Sequence, residues 1–234
     1  MKRSVIVAIA LAVLALQAET SAALVTVQII PTADTIVRQN DPTGNYGTHG
    51  FLNVAGSSAR NGNGELVGLN DTFMRFNLAS TVAALDAQFG NHDWTISSLT
   101  FKFVESALPN SDNYGRGQGG FQVLWIAADN WGETSLTWNN RSAYLNGSTD
   151  VVVGNFSNLY QGDGYAPVQS FSLTLASSLI DDIRAGGDVS FYLTALDPST
   201  GFTFNSRSVN PKPLPDGSSR APATLEIVAV PEPS

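Results

Sequence analysis

The sequence predicts an all-β fold: a single β-sandwich of jelly-roll type, with about ten or eleven short strands and one or two short helices. Three observations predict it. Segments of strand length carry apolar residues at every second position, clusters of Gly, Asn, Asp, Pro and Ser separate them, and only two stretches have helical character.

The strands begin with "LVTVQII" and "DTIVRQN". In "TFMRFNL", Met74, Phe76 and Leu78 share one face, and Phe73, Arg75 and Asn77 share the other. "SSLTFKFVE" places Leu99, Phe101 and Phe103 opposite Thr100 and Lys102, and "QSFSLTL" repeats the pattern with Phe171, Leu173 and Leu175. "VSFYLTAL" and "ATLEIVAV" are β-branched or aromatic runs of strand length. "ASTVAALDAQFG" and "ASSLIDDIRAGG" each allow two or three helical turns and close on glycine in the manner of a C-cap. Neither alternates regularly with strands, which disfavours a doubly wound α/β sheet. No internal repeat or interior linker breaks the pattern, so residues 24–229 read as one domain. Long loops such as "RQNDPTGNYGTHG", "GSSARNGNGELVGLND", "LPNSDNYGRGQGG" and "NLYQGDGYAPV" are the natural seats of binding on such a scaffold.

Residues 1–23 read as a secretory signal peptide. Lys2 and Arg3 precede an apolar run from Val5 to Leu16, and small residues ending at Ala22 and Ala23 follow. The run is shorter than the roughly 20 residues of a membrane-spanning helix. Export is therefore expected, and the mature chain of about 210 residues can bury roughly 70% of its unfolded surface without staples. The absence of cysteine removes disulfides, thiol nucleophiles and thiolate metal sites. A net charge of −8 with only 14% charged residues describes a sparse acidic surface, which argues against nucleic acid as a partner.

Catalytic signatures are scarce. The sequence has two histidines, His49 and His92, and no nucleophile elbow, P-loop, zincin or dinucleotide-binding fingerprint. Tyr46 and His49 in "NYGTH" are the one pair with acid–base potential, of the kind a polysaccharide lyase needs to remove a proton from a uronic acid. Asp129 and Glu133 flank Trp131, yet four loop residues fix no carboxylate separation for glycosidase chemistry. "NDPTGN" and "NGNGE" supply oxygen atoms that a structural calcium accepts, but neither follows the EF-hand pattern, so no cofactor is expected.

The most specific stretch is "DNWGETSLTWNN", residues 129–140. With "ADTIVRQ", "NYGTHGFLNV", "TFMRFNL", "FNSRSV" and "PATLEIV", taken in order, it resembles the DNRLRE domain family, whose domains are similar to carbohydrate-binding modules of extracellular polysaccharide lyases and glycosidases. The resemblance matches Asp34, Asn45-Tyr46-Gly47, Arg75-Phe76, Trp131, Glu133, Thr137-Trp138-Asn139 and the Phe204–Ser206 strand end, and it implies a non-catalytic β-sandwich. It makes Asp34, Arg75, Trp131, Glu133 and Trp138 structural hallmarks. One departure stands out: where the family carries a glutamate soon after the F-x-S, this chain has Arg207. Sugar contacts combine aromatic faces with planar polar groups, which selects Tyr46, Arg75, Trp131 and Arg207 as candidate carbohydrate-binding residues, with Tyr114 and Tyr165 as further loop aromatics.

Finally, "VPEPS" after the last strand-like run resembles the start of a PEP-CTERM sorting signal. In that family an apolar span and an arginine-rich end follow; here Ser234 precedes both, so only the start, residues 230–234, is represented. That resemblance implies a Gram-negative cell surface or extracellular matrix, and membrane contact only through the anchor that such a signal carries.

Overall fold

The computed structural model describes residues 24–106, 114–159, 168–210 and 220–233. The expected leader, residues 1–23, and Tyr165 lie outside them. Eleven strands run in the order β1 (Val25–Ile29), β2 (Ala33–Arg38), β3 (Phe51–Ala55), β4 (Asn70–Asn77), β5 (Trp94–Val104), β6 (Gly119–Ile126), β7 (Val151–Asn158), β8 (Val168–Ser172), β9 (Asp188–Ala195), β10 (Gly201–Asn205) and β11 (Thr224–Pro231). Two helices, α1 (Ala79–Phe89) and α2 (Ser177–Ala185), precede β5 and β9.

The strands form two antiparallel sheets, ordered β1-β11-β5-β8 and β10-β3-β4-β9-β6-β7, with β2 also paired to β4. The run β4-β9-β6-β7 opposite β1-β11-β5-β8 is jelly-roll wiring: the chain changes sheet at β1–β2, β4–β5, β5–β6, β7–β8, β8–β9 and β10–β11, and within this eight-strand frame β6–β7 is the one consecutive pair in a single sheet. β2, β3 and β10 broaden the second sheet beyond that eight-strand frame.

Alternation explains the core. Met74 and Phe76 of β4 and Leu99, Phe101 and Phe103 of β5 point between the sheets, as their spacing predicts, and all are fully buried. They meet Phe121, Phe191, Phe202 and Phe204 in one aromatic cluster, in which Phe103 stacks on Phe204 at 4.3 Å. Phe73 points the opposite way and is buried in a second cluster with Ala33, Val37, Ile126, Trp131, Leu136 and Tyr192. The seven-stranded sheet is therefore apolar on both faces, and its outer face is roofed by the segment between β6 and β7.

Two local details differ from expectation. Gly186 closes α2 in the left-handed region (φ 72°, ψ 20°), but Gly90 after α1 has φ 108° and ψ 159°, an extended positive-φ geometry open to glycine and unlike a Schellman cap. The last strand also runs further than residue 229. Pro231 lies opposite Trp94, and Glu232 donates its N–H to the Asp93 carbonyl while pairing with Arg184 at 3.1 Å. The Val-Pro-Glu stretch is thus tied into the sandwich.

Candidate functional site

The roof is built from the "DNWGETSLTWNN" segment. Trp131 lies on the sheet, edge-on to Phe73 (5.8 Å), and donates its indole N–H to Ser190 Oγ at 3.0 Å. Arg75 holds the segment from below: one guanidinium nitrogen donates to the carbonyls of Asp129 (2.6 Å) and Trp131 (2.9 Å), its Nε faces Asp188, and its charge lies 5.0 Å from the indole centroid. Further along, Asn140 accepts from Thr137 N–H and donates to the Ser135 carbonyl. Arg141 lies over Trp138 at 3.3 Å and reaches Asp71, whose carboxylate also accepts from Tyr192 and Thr194.

Glu133 hooks round the start of β2 and organises a polar cluster. It accepts the Asp34 backbone N–H at 3.0 Å and forms a two-point ion pair with Arg207, Nε to Oε1 at 2.6 Å and Nη2 to Oε2. Arg207 in turn donates its backbone N–H to Asp34 Oδ2 at 2.7 Å. Asn45 bridges the Glu133 and Leu136 carbonyls, and Gly47 packs so closely that a Cβ there would lie 2.2 Å from the Glu133 carbonyl oxygen. That contact explains the glycine of the Asn45-Tyr46-Gly47 turn. Asp34 is 1% exposed, and burial pushes its carboxyl up to about 7 despite the Arg207 N–H. Its Oδ1 has no hydrogen-bond partner among the described residues.

Beside this cluster lies a second one. Tyr46 donates to Asp41 at 2.5 Å and accepts from Arg38 at 3.4 Å; its ring sits edge-on to His49 at 4.9 Å. His49 Nδ1 meets the buried Tyr114 hydroxyl at 2.7 Å. Burial and the bond to Asp41 raise the Tyr46 phenol, while burial and the Arg38 charge lower His49. The pair is close, and each member already holds a partner in the loops, Tyr46 on Asp41 and His49 on Tyr114.

Asp34 and Glu133, two hallmarks 99 positions apart in sequence, therefore share one cluster in space with Arg207, the departure from the family pattern, 173 positions from Asp34. A family model described as carbohydrate-binding module family 96 matches residues 25–214. The chain belongs to that family. No curated protein matches it.

Within the module, the expected sugar contacts divide into two groups. Tyr46 is half-buried, with Arg38 over its ring at 5.1 Å, and Arg207 is exposed, its Nε and Nη2 on Glu133. Trp131 is 1% exposed and has no ring face for a ligand, so the expectation that it stacks on sugar is corrected to a framework role. Arg75 gives one nitrogen to two backbone carbonyls and sets its charge against Asp188 and the Trp131 ring, which places it in the framework as well. The oxygen-rich turns serve local bonds: Asn61 Oδ1 accepts from Asn63 and Glu65 N–H, and Asp41 anchors Gly44 and Tyr46. Among the described residues, no group of three or more His, Asp or Glu is placed to hold a metal ion. Sequence reasoning missed Arg38, Asp71 and Glu105. All three are buried polar residues whose partners are distant in sequence or follow no motif.

Proposed function

We propose that this protein is exported and acts at the cell surface or in the extracellular matrix of a Gram-negative bacterium, where its β-sandwich binds polysaccharide without catalysis. The observation that carries this reading is the family match, which spans the sandwich from β1 past the end of β10. The leader-like residues 1–23, the DNRLRE-like series and the "VPEPS" segment support the location. Tyr46 and Arg207 supply the ligand contacts: a half-buried phenol ring, and an exposed guanidinium that Glu133 holds in a fixed plane. Glu133, Asp34, Arg75, Trp131 and Trp138 form the framework. The reading assigns the domain no cofactor and no nucleic-acid partner, and membrane contact only through an anchor following the sorting segment.

Affinity electrophoresis in gels cast with acidic or neutral polysaccharides, with and without chelator, tests it. Retardation without chain shortening is expected, unchanged by chelator and weakened several-fold by Tyr46→Ala and by Arg207→Ala. Release of unsaturated ends absorbing in the ultraviolet, lost in Tyr46→Phe or His49→Ala, would instead establish a lyase. No retardation in any polymer overturns the binding role.

A further inference from the structure

The outer strands of the two sheets differ in how their free edges are covered. On β10 the Gly201, Thr203 and Asn205 carbonyls accept from the N–H groups of Gly117, Ser106 and Ala223. On β2 the Asp34 N–H is taken by Glu133. On the β7–β8 side the Thr174 N–H donates to the Val153 carbonyl at 2.7 Å, and the Gln169 amide bonds both the N–H and the C=O of Leu159. β1 is the exception. It is the outermost strand of the four-stranded sheet, and its backbone pairs with β11 alone. Gln28 Nε2, which donates to Glu226 at 2.8 Å, also reaches towards β11. Among the described residues nothing hydrogen-bonds the outer side of β1.

A free edge ordinarily carries a guard: a lysine, a proline, a bulge or an inward-pointing charge. Residues 24–30, "LVTVQII", hold no charge and no proline, and β1 runs along β11 without a register shift. Thr26 and Gln28 are exposed, and the residues flanking the strand, Leu24 and Ile30, are 61% and 56% exposed. Glu226, beside Gln28 on β11, is paired with Lys102. The edge therefore adds no like charge to a contact between two copies, although the chain carries a net charge of −8.

The order of the residues says what covers this edge. About Val27 the stretch has the same character in both directions: polar Thr26 and Gln28, then apolar Val25 and Ile29, then apolar Leu24 and Ile30. In an antiparallel pair, residues directly opposite one another share a face. Two copies of β1 related by a two-fold axis at Val27 place Val27 against Val27, Thr26 against Gln28, Val25 against Ile29 and Leu24 against Ile30. Apolar meets apolar and polar meets polar at every position. A slip of one residue sets Thr26 against Ile29 and Val27 against Gln28, which mixes inner with outer faces. We infer that β1 is a self-association edge, through which two copies of this protein pair antiparallel and join their four-stranded sheets into one continuous sheet. The two-fold operation consumes both free edges, so assembly closes at the dimer and does not run on as a fibre.

Sedimentation velocity on the full chain tests this without polysaccharide, so its failure leaves the binding role standing. A strand-edge contact lies at the small end of specific interfaces, and a monomer–dimer equilibrium at about 1–100 μM is expected. Thr26→Lys combined with Gln28→Lys, both at exposed positions, sets like charges opposite one another across the seam. It should raise the dissociation constant tenfold or more at an unchanged melting temperature. Thr26→Glu combined with Gln28→Lys sets opposite charges there and should keep or tighten the dimer. The absence of cysteine from the chain allows a test of register. Val27→Cys meets its own copy on the axis and should cross-link on oxidation, whereas Thr26→Cys lies too far from its copy to do so. A monomer at about 100 μM overturns the inference. So does a dimer that the first double variant leaves intact or the second abolishes, or cross-linking through Thr26→Cys in place of Val27→Cys.

Discussion

The two sheets meet the outside in opposite ways. On the four-stranded sheet, inward Leu225, Ile227 and Ala229 of β11 are fully buried, while outward Thr224, Glu226 and Val228 are only partly covered. Across the sheet Gln28, Glu226, Thr100 and Ser172 fall in one row, a polar surface that water covers adequately. On the seven-stranded sheet, β2 is buried at every position and outward Phe73 and Tyr192 lie under a roof. The difference lies in the outward residues: Thr, Glu and Ser need no cover, whereas Phe, Tyr and Ile require it. The tryptophans that identify the module are therefore the roof itself, and the sugar-facing groups must be sought beside it.

Removing a roof beam is the most severe way to probe this contrast. Trp131→Ala uncovers Phe73, deletes the bond to Ser190 and leaves the Arg75 charge without its ring. It should cost about 3–5 kcal/mol in urea unfolding, the usual range for an aromatic lost from a core. A loss below about 1 kcal/mol would show that the segment does not stabilise the sheet.

Each sheet also carries a buried carboxyl, and these sharpen the contrast through pH. Burial pushes Asp34 on β2 from 3.8 up to about 7, and pushes Glu105 beyond β5 from 4.5 up to about 7 even though Gln169 donates to it. Between the unfolded and folded values the native state binds more protons than the unfolded one, so stability is greatest at the acid end and falls as pH rises through roughly 4 to 7. The melting temperature should accordingly be higher at pH 5 than at pH 8. Glu105→Gln should flatten that slope by up to about 3 kcal/mol. A wild-type profile that is level or rises from pH 5 to 8 would refute the assignment.

Much of this was legible in the sequence, for stated reasons. Alternation separated Met74 and Phe76 from Phe73 and Arg75, and it aligned Leu99, Phe101 and Phe103, because a half-covered strand writes its burial at a period of two. The family-like motifs marked Asp34, Glu133 and Trp138. What stayed hidden was long-range. Nothing local says that β1 pairs β11 or that Glu133 meets Arg207 74 residues away. Trp131 reads in the sequence both as a hallmark and as a candidate sugar contact for the same reason: an indole in a loop looks available until the sheet beneath it is known to be apolar.

The gentlest probe lies on the uncovered face. Lys102 and Glu226 pair there at 2.5 Å, with Gln28 donating to the same carboxylate, and both side chains remain partly exposed to water. An ion pair in that setting contributes little, because solvent screens it and two long side chains lose freedom to form it. Lys102→Ala should change stability by no more than about 0.5–1 kcal/mol, and the difference should shrink further in 1 M salt. A larger, salt-insensitive loss would mean that something covers this face too, and the contrast between the sheets would then fail at the point where it makes its weakest demand.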